Sequence, residues 1–264
     1  MGTSDTWASG AAYEPYVGRW SRIVARDFLF LLAVAPGRRW LDVGCGTGAL
    51  TETVLKQAEP AEIIGVDPAE GFVAYARAHV DDGRVSFTAG DAAALPFETG
   101  AFDAAVSGLA LNFVPQPVAA VTEMTRVVRR GGLVAAYVWD YDGQMQMMRV
   151  FWDAAAELDP AAAGLDEGRR FPICRPDPLA RLFAGAHLDA VEVSAVGVTT
   201  HFRDFDDYWS PFLGGQGPAP SYLMALTQEK RTALRELIRS TLPIAVDGSI
   251  RLAARAWAVR GRKR

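Results

Sequence analysis

Cysteine is scarce in this chain: Cys45 and Cys174 are the only two in 264 residues. One lies in a glycine-rich turn and the other in a proline-rich stretch, which makes no disulfide framework, so a reducing, cytoplasmic compartment is the expectation. Histidine is scarce too, with His79, His187 and His201 as the full set. No spacing of histidine, cysteine and carboxylate resembles a zinc or non-haem iron site, so no metal is expected. Long apolar runs are missing. The run at residues 28–35 is far too short to span a bilayer, and the opening residues do not read as a secretory leader, so no membrane partner is expected. The first six residues match a myristoylation pattern without a second membrane signal, which reads as chance. A positive excess is also missing: the formal charge is -4. No basic field gathers phosphates, so nucleic acid is not the expected partner. The basic end Arg260-Gly261-Arg262-Lys263-Arg264 reads as a solvated tail.

What the chain does have is Trp40-Leu41-Asp42-Val43-Gly44-Cys45-Gly46-Thr47-Gly48-Ala49-Leu50. An apolar run stops at three alternating glycines, and a helical stripe of Leu50, Val54 and Leu55 follows: strand, tight turn, helix. Bare backbone at Gly44, Gly46 and Gly48 lets a ligand lie against the main chain. On its own the spacing also fits a dinucleotide fingerprint. Asp42, two residues before the first glycine, either meets the ligand or pins the loop. The run Ile63-Ile64-Gly65-Val66 ends in Asp67, about 20 residues after the glycines, where an acid suits a ribose diol. Val85 to Ala89 is followed by Gly90-Asp91-Ala92. Three successive strands thus end at or beside an acid, and open α/β sheets bind ligands beyond those ends. Strand and helix continue to alternate: helix 68–79, strand 85–89, strand 101–111, helix 118–129, strand 133–139. This alternation predicts a doubly wound, parallel α/β sheet.

Asp42-Val43-Gly44-Cys45-Gly46-Thr47-Gly48, Asp67, Gly90-Asp91-Ala92 with Leu95-Pro96-Phe97, Phe102-Asp103 and Arg130-Gly131-Gly132 resemble the ordered motifs of Rossmann-like (class I) S-adenosylmethionine-dependent methyltransferases. The flavour is that of the quinone-biosynthesis-type, small-molecule branch. The resemblance covers residues 38–140. It implies a seven-stranded, mostly parallel sheet with an antiparallel last strand, and helical insertions covering the ligand side. It also implies S-adenosyl-L-methionine as cofactor: the glycine turn for the methionyl part, Asp67 for the ribose hydroxyls, Asp91 with Ala92 for the adenine edge, and Asp42, Pro68 and Gly108 among the cofactor-binding residues. As plain residues, Asp67 and Asp91 have a bland alternative, the cap of the next helix.

The whole chain, 1–264, reads as one methyltransferase domain. Residues 1–37 form an N-terminal helical segment and 38–140 the cofactor core, while 141–186 and 202–249 are covering insertions around a sixth strand at 191–201. The last strand is expected at 250–259. Tyr13, Tyr16 and Trp20 are spaced to share one side of a helical turn, where they either wall the pocket or pack the first helix. Arg19 and Arg22 either meet a cofactor carboxylate or face solvent. Asn112, after the fourth strand, either orients a nucleophile or caps a turn near Pro115 and Pro117. Trp139 and Tyr141 either bind the acceptor or join the core. Met145, Met148, Phe151, Trp152, Ala155 and Leu158 form an apolar helical face that suits core or cover. His201, at the end of the sixth strand, is the candidate general base, with Tyr16, Tyr141 or Asp140 as substitutes.

The expected activity is in-line methyl transfer to oxygen, nitrogen or carbon of a small, apolar or aromatic metabolite. The alternatives are an NAD(P)-dependent oxidoreductase, a cofactor-binding protein without turnover, and an enzyme that uses the bound sulfonium to steer a cyclisation. A homodimer is left open.

Overall fold

The structure, a computed structural model, describes residues 18–214 and 217–264. Tyr13 and Tyr16 lie outside the described residues.

Helix α1 (Arg19–Leu32) forms because its apolar residues recur on one face: Trp20, Val24, Ala25, Phe28, Leu29 and Leu32 are buried. It stops at Ala33, which turns left-handed at φ 48° just before Pro36 and Gly37. Strand β1 (Arg39–Val43) then enters the centre of the sheet. It pairs in parallel with β2 (Glu62–Asp67) on one side and β4 (Phe102–Gly108) on the other. β3 (Val85–Ala89) extends the β2 side and β5 (Val128–Trp139) the β4 side. Crossover helices α2 (Ala49–Gln57), α3 (Glu70–His79) and α4 (Pro117–Val127) link them, as parallel pairing requires. Trp40, Leu41, Val43, Ala104, Ala105 and Val106 are all buried, because a parallel strand covered on both faces has no wet side.

The seven strands run in the order β3-β2-β1-β4-β5-β7-β6. β7 (Ile250–Lys263) is antiparallel to both β5 and β6 (Leu188–Phe202). The doubly wound sheet and its antiparallel last strand are therefore as the sequence implied.

Several boundaries differ. β4 ends at Gly108 rather than 111, because Leu109 takes φ 59° and a single turn of 3-10 helix, Leu111–Phe113, follows. The basic end is not a solvated tail. β7 carries on through it, with Lys263 Nζ donating to the carbonyls of Arg126 and Val128 at 2.9 and 2.8 Å, and Arg260 reaching Glu192 and the Leu31 carbonyl. Ladder pairing against β5 and β6 outweighs the charge there, since these cations find carbonyl and carboxylate partners.

Between β5 and β6 lie α5 (Gln146–Leu158), α6 (Glu167–Arg170) and α7 (Pro176–Gly185). Between β6 and β7 lie α8 (Phe205–Trp209), α9 (Pro218–Ala225) and α10 (Gln228–Thr241). The methionine-rich face of α5 is core: Met147, Met148, Phe151 and Trp152 are buried, and Leu158 alone of the expected face is 48% exposed. The second insertion packs onto the first. Phe151 stacks on Phe212 with ring centres 4.7 Å apart, and the Tyr208 hydroxyl donates to the Met147 carbonyl at 2.9 Å. Trp139 and Tyr141 are buried as well. No helix among the described residues is long and apolar enough to cross a membrane.

Candidate functional site

The chain reverses direction in the sheet at β1, stepping outward to β2 and β3 and then returning to β4, and a crevice opens at such a switch point. A cavity of about 630 Å³ occupies it. Its walls come from the segments that leave β1, β2, β3 and β4 at their C-terminal ends, with additions from α1, β5 and the first insertion.

The glycine turn is fastened to its neighbour strand. The amides of Gly44 and Cys45 both donate to the Val66 carbonyl, at 2.7 and 3.0 Å. The Gly46 amide donates to Asp67 Oδ2 at 3.0 Å, and the Ala69 amide to Oδ1 at 2.9 Å. Gly44 is required twice over: its φ is 74°, and a Cβ there would stand 2.5 Å from the Ala110 Cβ. Gly46, at φ 52°, has nothing within 4 Å of the place a Cβ would take, so it is the bare backbone that keeps this part of the cavity open.

Asp67 lines the cavity and is not a helix cap, because α3 is capped at Ala69 with no side-chain bond. Burial pushes its carboxyl above the ordinary range, against the pull of the two amides. Ribose hydroxyls donating to it would favour the charged form. Asp91 is exposed and lines the cavity; its Oδ1 accepts the Ala93 amide at 2.8 Å, a local turn rather than a helix start. Asp42 does not line the cavity. Its side chain is wholly buried behind the turn, accepts the Thr51 hydroxyl at 2.7 Å, and is pushed up to about 7 by burial, with Asp67 adding to the rise.

Of the residues singled out from sequence, the structure gathers Gly44, Gly46, Asp67, Pro68, Asp91, Ala92, Gly108 and Asn112 around one cavity. Asp42 and Gly48 stand behind its wall, outside the lining. Arg19 is paired with Asp207 and Arg22 with Glu52, and neither lines the cavity. The expectation for His201 is corrected. β6 alternates, Thr200 and Phe202 point inward and are buried, and His201 is exposed opposite Arg251, away from the cavity.

Sequence reasoning missed Tyr137, Phe113, Arg170 and Phe171, all of which line the cavity. Tyr137 had a signal that was overlooked. It sits in register with Gly108, where a Cβ would come 2.7 Å from the Tyr137 hydroxyl, so the glycine at the end of β4 makes room for the ring. Phe171 meets Phe113 edge to face with centroids 5.1 Å apart, and the Arg170 guanidinium lies 5.1 Å from the Phe171 ring centre. Nothing local in a proline-rich connection marks those two. No group of three or more histidine, cysteine and carboxylate side chains among the described residues is arranged for a metal ion.

Residues 41–136 match the family described as "Methyltransferase domain". The core is thus similar to methyltransferase domains, and the sheet order is that of the class I methyltransferase α/β fold. Over 117 residues the chain is 35% identical to demethylmenaquinone methyltransferase of Staphylococcus aureus, 44% of this chain and 47% of that protein. The chain thus spans about half the length of the curated relatives it matches. Among solved structures, the YcgJ protein of Bacillus subtilis superposes with a TM-score of 0.60 at 19% identity, covering 92% of this chain and 98% of its own. Phosphoethanolamine N-methyltransferase 2 of Haemonchus contortus, solved with S-adenosylhomocysteine, superposes with a TM-score of 0.56 at 16% identity, covering 90% of this chain and 52% of its own. At these identities the likeness speaks for the fold.

Proposed function

We propose that the protein is an S-adenosylmethionine-dependent methyltransferase acting on a small, ring-bearing metabolite. The observation that carries this is the fastening of Gly46 to Asp67, which sets bare main chain and a buried carboxylate side by side on one cavity. The residues present fit the cofactor. The open space over Gly46 takes the methionyl part, the Asp67 carboxylate accepts ribose hydroxyls beside Pro68, and Asp91 with Ala92 meets the adenine edge. When bound, the cofactor supplies a methyl group on a positively charged sulfur, open to attack in line with the breaking carbon–sulfur bond. The chain's contribution is alignment and exclusion of water. Phe113, Val114, Pro115 and Phe171 offer an apolar wall for a flat acceptor, with Asn112 and Arg170 as polar groups beside them. No histidine is among the described residues lining the cavity, so no base role is assigned to His201.

The oxidoreductase alternative loses ground on topology. Dinucleotide-binding sheets run 3-2-1-4-5-6 in parallel, whereas here the antiparallel β7 separates β5 from β6. A thermal-shift comparison tests the choice. S-adenosylhomocysteine is expected to raise the melting temperature and NAD to leave it unchanged; the reverse result overturns the proposal. Transfer of labelled methyl from S-adenosylmethionine to a panel of hydroxylated and amino-substituted aromatics then separates an enzyme from a binding protein without turnover.

A further inference from the structure

Asn112 stands in the 3-10 turn that leaves β4, 7% exposed and on the cavity wall. Both its Nδ2 and its Oδ1 are buried without a hydrogen-bond partner. The expected turn-capping role is thereby excluded, since no side-chain bond caps this turn. Native proteins rarely leave both ends of a buried carboxamide unmet, and such a side chain is kept where a ligand completes it. Along the wall, Phe113, Val114, Pro115 and Phe171 are apolar, and Arg170 lies against the Phe171 ring. Asp67 and Asp91, the acids suited to ribose and adenine, follow β2 and β3, whereas Asn112 follows β4 on the other side of β1.

Resting on the methyltransferase reading above, we infer that the acceptor presents a hydrogen-bond donor and an acceptor side by side in the plane of its ring, as a lactam or a ring hydroxyl beside a carbonyl does, and that Asn112 pairs with both. A carboxamide offers an N–H and a C=O about one hydrogen-bond width apart, so a lactam edge meets it in two parallel bonds. Phe113 and Phe171 supply apolar surface for the rest of such a ring. A site built this way discriminates sharply: an analogue lacking the donor leaves Oδ1 buried and unmet, which costs far more than a change of size.

The test uses the full chain saturated with S-adenosylhomocysteine and three probes: 2-quinolone, its N-methyl derivative, which lacks the donor, and naphthalene, which lacks both groups. Calorimetry on the wild type is expected to give 2-quinolone an affinity at least about tenfold above N-methyl-2-quinolone, with naphthalene weakest. In Asn112→Leu that preference is expected to fall to about twofold or less while S-adenosylhomocysteine binds as before. Equal binding of the first two probes to the wild type, no 2-quinolone binding at its solubility limit, or a preference that survives in Asn112→Leu overturns the inference. A tenfold loss of S-adenosylhomocysteine affinity in Asn112→Leu also overturns it, by giving the carboxamide to the cofactor. The wild-type comparison stands even where the variant does not fold. Failure of the wild type to bind S-adenosylhomocysteine is a separate result, and it removes the underlying methyltransferase reading.

Discussion

Asp67 Oδ2 accepts the amide of Gly46 at 3.0 Å across 21 positions of sequence. The bond joins the turn after β1 to the end of β2, so one carboxylate shapes the main-chain nest and faces the cavity that the nest lines. Asp67→Ala removes both functions. Loss of a charged hydrogen-bond acceptor costs about 2 kcal/mol, so S-adenosylhomocysteine affinity is expected to fall about 30-fold by calorimetry. Asp67→Asn keeps an acceptor and is expected to lose less. Wild-type affinity in Asp67→Ala would take the residue out of the cofactor site.

Asp42 gives the fold a pH dependence of unusual sign. Its carboxyl has an ordinary value of 3.8 and is pushed up to about 7 in the folded chain. Between those values the folded state holds a proton that the unfolded state has lost. Stability from this group is therefore greatest below about pH 4, declines as pH rises, and reaches its floor above about pH 7. Glu167, pushed up to about 8 by burial beside Trp152, acts in the same direction. Asp42→Asn mimics the protonated acid and is expected to stabilise the protein at pH 8, by as much as roughly 4 kcal/mol, with little effect at acid pH. Urea unfolding at the two pH values measures this. A variant no more stable than wild type at pH 8 would mean that Asp42 is ionised at little cost.

Gly44 and Gly46 separate two effects of one substitution. Gly44→Ala forces a Cβ to within 2.5 Å of Ala110 at a positive φ, so a stability loss of about 2–5 kcal/mol is expected together with loss of cofactor binding. Gly46→Ala meets no atom. It is expected to cost only the left-handed strain, about 1–2 kcal/mol, and still to weaken S-adenosylhomocysteine binding, because its methyl group enters the cavity. Melting curves and calorimetry on the pair read the two effects apart.

His201→Gln is expected to leave methyl transfer unchanged. The imidazole is exposed on the edge strand β6, and neither it nor its register partner Arg251 lines the cavity. A rate lowered tenfold with a labelled acceptor would restore the residue to the chemistry.

The parts legible in sequence were those governed by local pattern. β3 runs over residues 85–89 as expected, and the strand-end acids Asp67 and Asp91 reach the cavity because parallel strands deliver their C-terminal ends to the same side of the sheet. Long-range pairing decided the rest. The arginines after Val259 read as solvent-loving until β5 and β6 offered them a ladder. His201 looked well placed until the alternation of β6 turned it outward. Phe171 and Arg170 reach the cavity only through the path of the first insertion, which no periodicity in their own segment announces.

The most direct test of the central claim, that the crevice beyond β1, β2 and β4 is an adenosylmethionine site, is a calorimetric titration of the full chain with S-adenosylhomocysteine and, separately, with NAD. The account predicts saturable one-to-one binding of S-adenosylhomocysteine in about the micromolar range and no saturable heat with NAD. Saturation by NAD, with no heat from S-adenosylhomocysteine, would contradict it.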